Sequence, residues 1–188
     1  MTAPPPRVFL DACVLVPITL TNVLLTAAEH GLITPFWSWE VTEEAVAAIR
    51  EINPHRPEAQ IRRRFGAMST AFPDSVVQGD LVVLGDLRLP DPDDLHVVAA
   101  SVAANADLIV TNNTVDFPAE VLMGVGLRAA TPDELLNSLL ANSPETTLTV
   151  VREATHALTR PPIALDDVLS TLERCWAARF VAELRRLL

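Results

Sequence analysis

The run Arg7-Val8-Phe9-Leu10 is rich in β-formers and ends abruptly in a carboxylate, Asp11. A short apolar run of this kind reads as a buried strand. An ionised group at its end is costly unless it is paired, hydrogen-bonded or bound to a metal. Asp11 therefore belongs at the carboxyl edge of a sheet, beside whatever compensates it. The pattern returns at Asp107-Leu108-Ile109-Val110-Thr111, the clearest buried parallel strand in the chain, which opens into the polar loop Asn112 to Pro118.

Helical periodicity fills the space between the strands. Pro17 opens a helix whose face is Leu20, Val23, Leu24, Ala27 and Ala28, stopped at Gly31. Ile33 to Trp37 is short and apolar, and Ser38 begins a helix with Val41, Ala45, Ala48, Ile49 and Ile52 on one face. Asn53-Pro54 and Pro57 end it, and a further helix is expected from Glu58 to Ala71. Leu81 to Leu84 reads as a strand. Pro90 to Asp94 is a turn and helix start before Leu95, Val98, Ala99, Val102 and Ala103, and Thr131-Pro132-Asp133-Glu134 resembles a helix cap before Leu135 to Leu140.

Alternating strands and helices predict an α/β fold around a mostly parallel sheet, in which sites form beyond the carboxyl ends of the strands. After Asn142 the pattern is helical only, Pro144 to Leu158 and Ala164 to Leu187, with Pro161-Pro162 between. The expected organisation is one domain over residues 1–142 and a helical C-terminal extension over 143–188, without internal repeats. The extension carries an apolar stripe of Val168, Leu172, Cys175, Trp176, Phe180 and Leu184, suited to packing on the core, on a partner or on RNA.

Composition narrows the function. With 188 residues, 49% apolar and 20% charged, the chain has enough apolar material for a real core and too much for a disordered segment. No stretch approaches the ~20 apolar residues of a membrane helix, and the opening residues lack a basic region before an apolar one, so a cytoplasmic location is expected. Cys13 and Cys175 cannot assemble a thiol zinc site. A net charge of −10 disfavours a broad phosphate-tracking surface but not a nuclease that holds cations in a carboxylate cluster. Every basic residue apart from histidine is arginine, and Arg62-Arg63-Arg64 is the tight cluster.

Four carboxylates lie where chemistry could gather: Asp11 after the first strand, Glu44 on a helix, Asp94 at a helix start and Asp116 in the late loop. Such a set suits Mg²⁺ or Mn²⁺, which prefer oxygen ligands. The matching chemistry is phosphodiester hydrolysis, with the carboxylates holding the ions and accepting a proton from the attacking water. Each residue also has a simpler reading. Glu44 could be a solvated helix glutamate, and periodicity does not separate it from Glu43. Asp93 and Asp94 could be N-caps, and Asp116, Asn112 and Asn113 turn residues. His96 reads as structural, Trp37 and Trp39 as core or staple, and Arg62 to Arg64 as a solvated helix face.

Taken together, Val-Phe-Leu-Asp11-Ala-Cys-Val-Leu, Trp-Ser38-Trp-Glu-Val-Thr-Glu-Glu44, Asp91-Pro-Asp-Asp94-Leu-His-Val-Val-Ala-Ala and Ile-Val-Thr111-Asn-Asn-Thr-Val-Asp116-Phe-Pro resemble the successive motifs of PIN-domain ribonucleases, and more narrowly VapC-type toxins of bacterial toxin–antitoxin pairs. The match runs from Val8 to Leu140. The resemblance implies a three-layer α/β/α fold and a Mg²⁺- or Mn²⁺-dependent endoribonuclease that dimerises and is inhibited by a small antitoxin. It assigns Asp11, Glu44, Asp94 and Asp116 as catalytic acids, with Asp11, Asp94 and Asp116 on the metal. Thr111 becomes the supporting hydroxyl, and Asn113 stands where many relatives carry an acid. The C-terminal helices resemble an extension of some larger members. Two other readings compete: a PIN-fold module that binds RNA or protein without cutting, and a haloacid-dehalogenase-type hydrolase, in which a second Asp is wanted where Cys13 stands.

Overall fold

The computed structural model describes residues 4–79, 82, 84–157 and 164–188. Strands β1 (Arg7–Leu10), β2 (Thr34–Ser38), β3 (Val76–Val77), β4 (Leu108–Val110) and β5 (Arg128–Ala130) form one parallel sheet in the order β3-β2-β1-β4-β5. Helices α1 (Ala12–Leu15), α2 (Ile18–Glu29), α3 (Trp39–Ile52), α4 (Glu58–Ala71), α5 (Leu95–Ala103) and α6 (Ala119–Leu122) occur between the strands. After β5 come α7 (Pro132–Asn142), α8 (Pro144–Ala157), α9 (Leu165–Arg174) and α10 (Ala178–Arg185). None of the described helices is long and apolar enough to cross a membrane.

The central strand explains the rest. Val8, Phe9 and Leu10 of β1 are wholly buried, as a strand covered on both faces requires, and Phe9 lies in register with Phe36 of β2 and Ile109 of β4. The chain runs outward from β1 through β2 to β3, then returns to β4 on the other side. Right-handed crossovers in those two directions put helices on opposite faces of the sheet, giving the α/β/α sandwich. The reversal of strand order falls between β1 and β4, and their carboxyl ends flank the crevice it creates.

Several local expectations change. The strand expected over 81–84 falls partly outside the described residues, which exclude 81 and 83; the described edge strand is Val76–Val77, too short to carry a pattern of its own. The segment Arg128-Ala-Ala has no strand composition, yet its register with Leu108 to Val110 makes it β5. Pro161-Pro162 and Leu158 lie outside the described residues.

The arginine cluster divides. Arg62 is exposed and bonds Glu43 and Glu58. Arg64 is half-buried rather than on a solvated face: its guanidinium donates to the carbonyls of Leu15 (2.6 Å) and Val16 (3.2 Å) and to Thr21 Oγ1 (2.8 Å), tying α4 to the end of α1. Burial pulls its pKa down to about 10. Trp37 is wholly buried with its ring edge-on to Phe72 at 6.4 Å, as a core residue, whereas Trp39 is exposed at the start of α3.

The C-terminal helices belong to the same core. Val150, Val151 and Ala154 of α8 and Leu169, Leu172, Phe180, Val181 and Leu184 of α9 and α10 are buried in one cluster with the sheet residues. Thr131 and Glu134 close a reciprocal capping box on α7, which starts directly after β5. The single helix expected from Ala164 onward is two, because the backbone turns left-handed at Trp176. Val168, Leu172, Phe180 and Leu184 of the expected stripe are buried, but Trp176 is 56% exposed.

Candidate active site

Asp11 follows β1 and is held there from three directions. Its Oδ1 accepts from the Ala12 amide at 2.6 Å, so it caps α1. Its Oδ2 accepts from the Thr111 hydroxyl at 2.6 Å and from the Cys13 thiol at 3.2 Å. The backbone repeats the link, with the Asp11 amide donating to Val110 and the Thr111 amide to Ala130. Thr111 Oγ1 in turn accepts from the Asn113 amide at 3.0 Å. A chain of donors thus runs from the loop after β4 through Thr111 to one oxygen of Asp11. Burial and the Asp11 charge push the Cys13 thiol up to about 11, which keeps it a neutral donor.

Asp94 sits where a helix cap would sit, yet its side chain makes no capping bond. Asp91 caps the preceding turn instead, accepting from the Asp93 amide at 2.9 Å. Half-buried Asp94 therefore keeps its carboxylate uncommitted. Burial, followed by the charges of Asp11, Asp91 and Asp116, pushes its pKa up to about 6. That shift ties three of the four sequence-predicted acids into one field. Among the described residues no arginine pairs with Asp11, Asp91, Asp94 or Asp116.

Asp116 lies in a single turn of 3-10 helix (Thr114–Asp116) after β4. Its Oδ2 accepts from the Asn113 side-chain amide, which binds the two candidates of this loop to each other.

The helical glutamates separate by partner. Glu43 is gripped by the two terminal guanidinium nitrogens of Arg62, at 2.5 and 2.8 Å, and its pKa is lowered by that bonding. Glu44 faces the other way, and its Oε1 lies 2.8 Å from His96 Nε2 on α5. The hydrogen bond to Glu44 raises the His96 pKa, while its buried Nδ1 has no partner among the described residues. His96 links Glu44 to the helix that Asp94 begins, a role invisible in a sequence where nothing marks which glutamate faces α5.

Asp11 is buried, Asp94 and Asp116 are half-buried and Glu44 is exposed. A cavity of about 640 Å³, lined by Pro5, Leu32, Arg128 and Ser138 among others, holds none of the four. Among the described residues no three His, Cys, Asp or Glu side chains are already drawn together as a ligand set. The oxygens still fit a hard divalent cation: they are acidic, the charges of Asp11, Asp91 and Asp116 raise the pKa of Asp94, and no arginine among the described residues pairs with Asp11, Asp94 or Asp116.

Comparison with known proteins places the chain among relatives. A family model described as "PIN domain" matches residues 7–115, and one described as "VapC50 C-terminal domain" matches residues 132–186. A curated protein of Mycobacterium tuberculosis, "Putative ribonuclease VapC50", is 34% identical over 94 residues. The aligned stretch covers 50% of this chain and 55% of that protein, so the chain spans about half the length of its relative. No solved structure matches it significantly.

Proposed function

The chain belongs to the PIN-domain family, and from that premise we propose that it is a divalent-metal-dependent endoribonuclease, the toxin of a type II toxin–antitoxin pair. The observation that carries this reading is the uncompensated acidic field at the carboxyl ends of β1 and β4, in which Asp94 is pushed up to about 6 by burial and by Asp11, Asp91 and Asp116. A binding module has no use for carboxylates that repel one another, whereas a site for hard cations requires them.

In this reading Asp11, Asp94 and Asp116 hold Mg²⁺ or Mn²⁺, which when bound would lower the pKa of an attacking water and neutralise charge on the phosphate oxygens. Thr111 and the Cys13 thiol fix one Asp11 oxygen so that the other oxygen lone pairs keep a constant direction. Glu44, steadied by His96, supplies the fourth carboxylate and accepts a proton from water. Asn113 orients Asp116 through its side-chain amide. Half-buried Asp94 and Asp116 and exposed Glu44 suit a polymer that must pass over them rather than a small molecule that must be enclosed.

The remaining assignments complete the proposal: RNA as substrate, a cognate antitoxin that covers the acidic edge, a homodimer, a cytoplasmic location, and a nuclease unit over 1–142 followed by the extension over 143–188. The name of the Mycobacterium tuberculosis relative supports ribonuclease activity. The non-catalytic reading keeps one observation in its favour, since Asn113 brings an amide rather than a charge to the loop. Inducible expression in a bacterial host tests the choice. Growth arrest with accumulation of discrete RNA fragments, absent for Asp11→Asn, supports the toxin; undisturbed growth with abundant folded protein contradicts it.

A further inference from the structure

The turn between α9 and α10 holds a tryptophan where chemistry favours glycine. Cys175 closes α9, Trp176 follows with φ +63°, and the Ala177 amide donates back to the Leu172 carbonyl at 3.0 Å. This is a Schellman closure, whose left-handed position is ordinarily glycine because a Cβ is strained there. Trp176 carries that strain while remaining 56% exposed. An aromatic more than half exposed, at a position that strains its backbone, points to contact with something outside the chain.

The surroundings indicate what. Arg174 and Arg179 flank the turn, both exposed, and neither forms an ion pair among the described residues. Arg174 donates to Thr171 Oγ1, whereas Arg185 and Arg186 further along are bound to Asp166, Glu173 and Glu183. In a chain of net charge −10, two guanidiniums without an ion pair among the described residues, around an exposed indole, are locally complementary to a polyanion with flat bases.

The turn also lies on the edge that carries the acids. The Phe180 amide at the start of α10 donates to Asp133 Oδ1 at 2.9 Å, and Asp133 is in the first turn of α7, directly after β5. The last residue of β5, Ala130, accepts from the Thr111 amide, whose side chain holds Asp11. At about 4.8 Å between strands, β5 lies roughly 10 Å from β1. The Phe180–Asp133 bond thus brings the start of α10, and the turn before it, to the end of the sheet at which β5 finishes.

We propose that Trp176, Arg174 and Arg179 form a single-stranded RNA subsite that extends the substrate path onto the C-terminal helices, an inference that rests on the ribonuclease reading above. Trp176 stacks on a base, and the two arginines contact the flanking phosphates. The helical extension is then part of substrate recognition rather than only a brace on the core.

The test is binding of a fluorescein-labelled single-stranded RNA oligonucleotide to the full chain carrying Asp11→Asn, in EDTA, by fluorescence anisotropy. Trp176→Gly is expected to weaken binding about tenfold while keeping or raising Tm, because glycine suits the backbone; Trp176→Phe retains most of the affinity. Arg174→Gln and Arg179→Gln each reduce the slope of log affinity against log salt by about 0.7. Unchanged affinity in Trp176→Gly overturns the subsite, as does a change in oligomeric mass with RNA affinity intact, which would make the turn a protein interface. Cleavage of cellular RNA by the unsubstituted protein keeps the two proposals apart. If it cuts and Trp176→Gly binds normally, only the subsite fails; if it neither cuts nor binds RNA, the ribonuclease reading fails with it.

Discussion

The hydroxyl of Thr111 donates a 2.6 Å hydrogen bond to Oδ2 of Asp11, joining the ends of the two adjacent strands between which the sheet reverses its order. Neither residue is exposed, so the bond is both a strut of the sheet edge and the means by which a carboxylate is aimed.

Thr111→Val removes that donor at nearly constant volume. It leaves Asp11 with the Ala12 amide and the Cys13 thiol alone, and is expected to cost about 1–3 kcal/mol of stability and ~10–100-fold in metal affinity or activity. Thr111→Ser retains the hydroxyl and stays close to the parent. Chemical denaturation and Mn²⁺ titration of the three proteins check this; equal Mn²⁺ affinity in Thr111→Val would contradict it.

Asp94 gives a pH dependence of definite sign. Its folded pKa, about 6, lies above the ordinary aspartate value of about 3.9. Between those values the folded chain binds more protons than the unfolded one, so this residue's penalty on stability is absent below about pH 4 and complete above about pH 6. Asp94→Asn should therefore be more stable than the parent at pH 7.5 in EDTA, with the difference in Tm closing towards pH 4. A Tm difference that does not vary with pH would show that the acidic field is not felt at Asp94.

Glu43 and Glu44 are neighbours with opposite expectations. Glu43→Gln loses a surface pair with Arg62, worth about 0–1 kcal/mol, and is expected to leave RNA cleavage unchanged. Glu44→Gln, which weakens the contact with His96, is expected to abolish it. Parallel cleavage rates decide the matter; the reverse pattern would assign the acid to Glu43.

Gly79 presses its Cα against α5. A Cβ there would lie 2.5 Å from the Ala100 amide nitrogen and 2.8 Å from the Ala99 carbonyl carbon, both backbone atoms that cannot swing aside. Gly79→Ala should cost about 1–3 kcal/mol and disturb the helix that carries His96. An unchanged Tm would mean that this loop does not pack on α5.

Much of this architecture is legible in the residues. β1 and β4 announce themselves because strands buried on both faces must be apolar throughout, and α4 begins at Glu58 because Pro57 precedes it. The rest depends on partners. Arg128-Ala-Ala becomes a strand only because β4 offers it a free edge, and Val76–Val77 only because β2 does. Arg64 reads as a surface arginine until the bare carbonyls at the end of α1 appear beside it. Asp94 reads equally as a cap, and only the structure gives that task to Asp91. Trp176 joins an apolar stripe by spacing, but the left-handed turn at its own backbone removes it from that face.

The central claim is that the acids at the carboxyl ends of β1 and β4 hydrolyse RNA with a divalent ion. Its most direct test is cleavage of total cellular RNA by the purified, antitoxin-free protein in Mg²⁺, Mn²⁺ or EDTA, beside Asp11→Asn of matched fold by circular dichroism. The account predicts discrete fragments with Mg²⁺ or Mn²⁺ and none in EDTA or with Asp11→Asn. Cleavage that survives EDTA or the Asp11 substitution, or its absence from folded protein in every buffer, would contradict it.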